Sequence, residues 1–211
     1  MINLDILYED NHIIVVYKPR GILSQADISG KPDMLNLIKD YIKEKYNKPG
    51  NVYLGLVHRL DMNTKGIMVF AKTSKAALRL NEAIKNHEFH KYYKATVVGE
   101  VSEPDYKELK SYLIKDEKEL KSYINPKGKE AILYYKTDKI KKINNVLVTD
   151  LLIKLKTGRF HQIRCQMASI GHPLYGDIKY NGIGSFDDYS LEAYYLAFPH
   201  PISHEMMEFR R

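Results

Sequence analysis

At 211 residues the chain is long enough to bury a substantial core, as one domain or as two closely packed halves. Its 44% hydrophobic and 28% charged residues are ordinary for a globular protein, and no run approaches the roughly 18 apolar residues that a membrane span needs. Thirty-three basic against 26 acidic residues leave a net charge of +7, which favours a polyanionic partner.

The start, Met1-Ile2-Asn3-Leu4-Asp5, has no basic region leading into an apolar stretch, so secretion is not expected. Ile6 to Tyr17 reads as two short strands around the turn-prone Glu9-Asp10-Asn11, closed by the turn Lys18-Pro19-Arg20-Gly21. From Asp33 to Lys45, Met34, Leu37, Ile38, Tyr41 and Ile42 recur at helical spacing, and Asn47 to Gly50 ends that helix as a polar loop. After the segment around Asp61 comes a buried strand, Ile67 to Ala71. Thr73 or Ser74 caps a second helix reaching about Asn86, with Ala77, Leu80 and Ile84 on one face. Tyr93 to Gly99 alternates as a strand. Ser102 to Lys129 is rich in lysine and glutamate with little periodicity, and reads as weak hairpins or loops. Ala131 to Lys136 and Val146 to Lys156 read as strands joined by a polar turn, Asp138 to Asn145. A third helix is expected from about His161 to Ile170, ended by Gly171. Phe160, Ile163, Met167 and Ile170 form its apolar face, while His161 and Arg164 share another. Asp177 to Asp188 is an irregular loop, and Leu191 to Phe198 a final strand. The mix is α+β and sheet-rich, in a single domain over residues 1–211. A lone cysteine, Cys165, rules out an internal disulfide and fits a reducing compartment, with the cytoplasm as the expected location.

Three segments carry the candidate chemistry. The first is Val57-His58-Arg59-Leu60-Asp61-Met62-Asn63-Thr64-Lys65-Gly66, which puts an acid beside an arginine in a turn-like stretch before a buried strand. A carboxylate with a cationic neighbour stays ionised, and an oriented, ionised carboxylate is a nucleophile or base. The second is Lys91-Tyr92-Tyr93-Lys94-Ala95-Thr96-Val97-Val98-Gly99. The third runs from Leu155-Lys156-Thr157-Gly158-Arg159-Phe160-His161-Gln162-Ile163-Arg164 to Gly171-His172-Pro173-Leu174-Tyr175-Gly176-Asp177. Only seven of the 33 basic residues are arginine, and Arg59, Arg159 and Arg164 all fall in the first and third segments. Such placement points to a demand for a planar fork that clamps a carboxylate or phosphate.

These three segments, in this order, closely resemble the motifs of the large-subunit and transfer-RNA pseudouridine synthases usually called the RluA family. The resemblance runs from about Ile6 to Pro201. It implies a mixed, largely antiparallel central sheet flanked by helices, and an enzyme that cleaves the C1′–N1 bond of a uridine in ribosomal or transfer RNA and rejoins the uracil through C5. By the same resemblance Asp61 is the catalytic nucleophile or base, and Tyr93 packs against the uracil and takes the C5 proton. Arg164 pairs with the catalytic aspartate. The substrate-binding residues are Arg59, which fills the gap left by the flipped base, with Lys65, Lys91 and Ile163. Lys18 and Lys72 join Lys65 and Lys91 as phosphate contacts. His161 and Gln162 are expected to be scaffold hydrogen-bonders and Asp177 to shape its loop. The chain departs from the family form at Lys65, where serine is usual, and at Gln166 and Glu192, where histidine is frequent. With only a few residues before the first strand, the small RNA-binding domain that many relatives carry ahead of the catalytic one is expected to be absent. No cofactor, metal or membrane is implied, and a monomer is the default. A non-catalytic RNA-binding module is the alternative; a glycoside hydrolase using Asp61 and Asp177 is a weaker one.

Overall fold

A computed structural model describes residues 4–211; the start of the chain, on which the expectation about secretion rests, lies partly outside the described residues. In chain order the elements are β1 (Asp5–Glu9), β2 (Ile13–Lys18), α1 (Met34–Lys45), β3 (Gly55–Leu56), β4 (Lys65–Ala71), α2 (Ser74–Lys85), β5 (His90–Val98) and β6 (Lys107–Asp116). There follow β7 (Lys121–Ile124), β8 (Lys129–Ile143), β9 (Val146–Leu155), α3 (Gln162–Ser169), β10 (Leu191–Pro199) and β11 (Met206–Arg210). The fold is α+β, and it divides into two compact units: the chain up to His90 together with Ala193–Arg211, and Lys91–Glu192. No helix among the described residues is long and apolar enough to cross a membrane.

In the first unit β2 lies between β1 and β4, antiparallel to both. The turn after β1 forms because the Asp10 carboxylate accepts the backbone N–H groups of His12 and Ile13, each at 2.7 Å. Ile13, Val15, Ile67, Val69 and Ala71 project from one face of β2 and β4 into a cluster with Ala76, Leu80 and Ala83 of α2 and with Phe89, Leu196 and Phe198. Ile14, Val16, Met68 and Phe70, on the alternate positions, are buried too. Burial on both faces is why these strands read as unbroken apolar runs. Asp33 and Thr73 cap α1 and α2 by accepting the N–H groups of Asn36 and Ala76.

The second unit is a sheet in the order β5-β9-β8-β6-β7, antiparallel throughout. α3 lies against β6 and β7, where Leu113, Ala131, Cys165 and Tyr180 form a small core.

Three expectations change. The expected polar turn 138–145 shrinks to Asn144-Asn145, both left-handed (φ 47° and 63°), which is a two-residue hairpin turn joining β8 to β9. Of hairpins or loops in the lysine-rich 102–129 stretch, the structure has a hairpin, β6 paired antiparallel with β7. β11 was not expected at all; it pairs with β10 and lays Met207 and Phe209 on the α2-side core. The third helix is two residues shorter than its periodicity suggests, and Gln162 to Met167 are all buried, so it has no single apolar face.

Candidate active site

Asp61 sits on the loop between β3 and β4, and a second loop, after β2, clamps that loop through its backbone. Ser24 Oγ donates to the Leu60 carbonyl (2.7 Å) and accepts the Leu60 N–H (3.0 Å). The Gly21 N–H donates to the Met62 carbonyl at 2.9 Å, and the Thr64 N–H closes a turn onto the Asp61 carbonyl at 3.0 Å. Peptide groups on both sides of the aspartate are thereby fixed, which orients the side chain. Asp61 is half-buried; Arg59 and Lys65 are exposed.

Lys18 corrects the sequence reading. It is fully buried, so it is unavailable to a phosphate. Its Nζ donates to the carbonyls of Ile22 (2.7 Å), Pro19 (3.0 Å) and Met62 (3.0 Å). Three acceptors match the three N–H bonds of an ammonium. Burial pushes the Lys18 pKa down to about 7, opposed by the charge of Asp61. A lysine ending an apolar strand reads as a surface residue, which is why the sequence misled. Lys72 is corrected likewise: its Nζ is held by Glu9 at 2.7 Å and by the Asp10 carbonyl.

In the second unit Arg164 emerges from α3, buried, and meets Asp177 side-on: Nε to Oδ2 at 2.7 Å and Nη2 to Oδ1 at 2.8 Å. Such a two-point pair fixes the guanidinium plane as well as its position. Its Nη1 lies 2.8 Å from His161 Nε2, and His161 Nδ1 lies 3.1 Å from the Tyr180 hydroxyl. Tyr180 in turn accepts the Ser122 N–H at 2.7 Å. Asp177, read from sequence as a loop-shaping residue, is thus the bidentate partner of Arg164; it lay too far along the chain, past an irregular loop, for spacing to reveal it. Gln162 is buried beside them. Its Oε1 accepts the Arg159 N–H and the Thr157 hydroxyl, both at 2.9 Å, and its Nε2 donates to the Ile132 carbonyl, so it shapes the Thr157–Arg159 turn.

Tyr93 is buried on β5, opposite Ile153 of β9, whereas Tyr92 points to the other face with Lys154 Nζ 5.2 Å from its ring centre. Lys91 is half-buried, and burial lowers its pKa. A Cβ added at Gly158 would lie 3.3 Å from its Nζ, so the ammonium rests against that turn. Ile163 is buried on α3. Among the described residues no cluster of His, Cys, Asp and Glu is suited to a metal ion.

The family model described as RNA pseudouridylate synthase matches residues 12–169. A ribosomal large subunit pseudouridine synthase D of Yersinia pestis is 36% identical over 98% of this chain, and its counterpart in Escherichia coli strain K12 is 35% identical over 98%. The chain spans 66% of the length of each of these curated relatives. Among solved structures, the human RNA pseudouridylate synthase domain containing 1 protein superposes with a TM-score of 0.77 at 23% identity, covering 99% of this chain and 83% of that one. The domain containing 4 protein gives 0.74 at 20%, covering 98% and 87%. At that identity these two likenesses speak for the fold. With the matched family model spanning the Asp61 loop, β5 and α3, the chain belongs to the RNA pseudouridylate synthase family.

Proposed function

We propose that the protein isomerises uridine to pseudouridine in ribosomal large-subunit RNA, the substrate class named for its relatives. The observation that carries this reading is Asp61 on a loop clamped through the peptides beside it, with the buried Lys18 ammonium attracted to its charge. The same attraction favours the carboxylate in its charged, nucleophilic form. Asp61 attacks C1′, or removes the C2′ proton to give a glycal; either step breaks the C1′–N1 bond and frees the uracil to turn and rejoin through C5. Tyr93 lies against the ring and takes the C5 proton, a role that requires the site to lower its ordinary pKa near 10. Arg164, its plane fixed by Asp177, holds the Asp61 carboxylate. A stacked uridine must first leave its helix, at about a few kcal/mol, and Arg59 fills the gap. Lys65 and Lys91 contact the RNA, and Ile163 lines the uracil pocket. The reaction needs no cofactor, and the protein acts as a cytoplasmic monomer on this reading.

Asp177 has its carboxylate committed to Arg164, which leaves it poorly placed as the acid of a glycoside hydrolase. Tritium release from C5-labelled uridine tests the proposal, with ribosomal and transfer RNA transcripts assayed separately. Release from the ribosomal pool, abolished by Asp61→Ala, is the expected result. Release that survives Asp61→Ala removes Asp61 from the chemistry, and release from transfer RNA alone overturns the substrate assignment.

A further inference from the structure

The buried histidine beside Arg164 has a determinable protonation pattern. A guanidinium nitrogen only donates, so the 2.8 Å contact between Arg164 Nη1 and His161 Nε2 requires a lone pair on Nε2. In a neutral imidazole the proton then sits on Nδ1, which faces the Tyr180 hydroxyl at 3.1 Å. Tyr180 also accepts the Ser122 N–H of β7, and Ser122 Oγ donates to the Phe160 carbonyl at 2.6 Å. The ring stacks on Phe160, with centroids 3.8 Å apart and planes at 19°. All of this is held on a residue whose φ of 51° is left-handed and which gives α3 no side-chain cap. A histidine in that conformation carries backbone strain, and helix capping, the usual return for a polar residue at that position, is absent. The strain instead delivers the imidazole edge to the guanidinium.

We propose that His161 is a positioning residue: as the Nδ1-protonated neutral tautomer it holds the Nη1 end of Arg164 and ties it, through Tyr180 and Ser122, to the edge strand β7. Asp177 grips the guanidinium along its Nε–Nη2 side, and His161 holds its Nη1 corner at 2.8 Å. Burial first, then the charges of Arg164, Lys179 and Lys115, drive the imidazole pKa down to about 2, so the ring stays an acceptor across the working pH range. The inference rests on the proposed role of Arg164 in the uridine reaction, but its tautomer claim does not.

Two measurements test it. Nitrogen-15 spectra of the histidine rings in the wild-type protein report the tautomer directly. His161 is expected protonated at Nδ1 alone and unchanged from about pH 5 to 8; a proton on Nε2, or titration within that range, overturns the proposal. The second compares single-turnover rate, RNA affinity and melting temperature for His161→Phe, which keeps the stack on Phe160 without an acceptor, and His161→Gln, which restores one. A misplacement of the order of 1 Å costs about 10²-fold in rate. His161→Phe is therefore expected to lose about that factor with RNA affinity within twofold and little change in melting, and His161→Gln to recover part of it. A His161→Phe enzyme within twofold of wild-type rate overturns the proposal, as does a loss that simply tracks unfolding. Wild-type protein inactive on every RNA would strike at the functional reading, and the spectra would still decide the tautomer.

Discussion

Glu9, at the end of β1, accepts from four donors: Lys45 and Lys72 Nζ, each at 2.7 Å, and the Tyr41 and Tyr46 hydroxyls, each at 2.9 Å. Its burial raises the cost of the charge, but these hydrogen bonds together outweigh that cost and bring the pKa down to about 2. A carboxyl whose folded pKa lies below its unfolded one contributes stability that is complete above the unfolded value. That stability is lost as pH falls toward the folded value. For Glu9 the loss runs from about pH 4.5 down to about 2. Glu9→Gln leaves Lys72, only 9% exposed, without its counter-charge and is expected to cost about 2 kcal/mol at neutral pH. In urea denaturation the gap between wild type and variant should be full at pH 7 and small at pH 2.5; equal midpoints at pH 7 would show that the network contributes nothing net. Nothing in the sequence hints at this cluster, because the donors lie 32 to 63 residues from Glu9. The same holds for Arg164 and Asp177. Asp61 and Tyr93 stand out as candidates because the segment around each is itself the signal, whereas Lys18 was misread because a charged side chain on a strand end looks solvated until its three carbonyls are seen.

Elements with a core to face were read well. β2, β4, α1 and α2 bury their apolar positions, so period and capping residues reported them within a few residues. The misses are elements whose burial signal is thin. The distal part of β8, Lys139 to Ile143, is mostly exposed, so pairing with β9 rather than a hydrophobic face forms it, and two left-handed asparagines supply the turn. β11 shows only a weak alternation at Met207 and Phe209. β4 illustrates a further demand on sequence. Gly66, its second residue, has φ 141°, and an added Cβ would lie 2.4 Å from the Ala193 carbonyl oxygen and 2.6 Å from its nitrogen on β10. Backbone on a neighbouring strand cannot yield as a flexible side chain would. Gly66→Ala combines a strained φ with overpacking and is expected to cost about 3 kcal/mol or more, a drop in melting temperature of roughly 6–12 °C for a chain of this size. An unchanged melting temperature would mean that β10 shifts freely, and the close approach of the two strands would then have no energetic content.

Across the whole molecule a net charge of +7 overstates the positive surface open to RNA, since many lysines are already engaged. Lys18 is sealed among carbonyls, Lys45 and Lys72 are paired with Glu9, and Lys141 with Asp150 at 2.6 Å. Counterion release depends on cations that reach phosphates, and each such contact adds about 0.7–0.9 to the slope of log affinity against log salt. Arg59 and Lys65 flank Asp61 and are exposed, so on the proposed function they meet the RNA wherever the target uridine is bound. Arg59→Ala should therefore weaken binding and lower the salt slope by about 1. Lys141→Ala, which removes a cation already neutralised on the β8–β9 hairpin, should leave the slope unchanged. Titrations of a uridine-containing ribosomal transcript at several salt concentrations distinguish the two. Equal effects from both variants would mean that RNA is held by diffuse positive charge. A change confined to Arg59 would tie the electrostatic grip to the loop that carries Asp61, so that on the proposed function affinity and chemistry are set by neighbouring residues of one ten-residue segment.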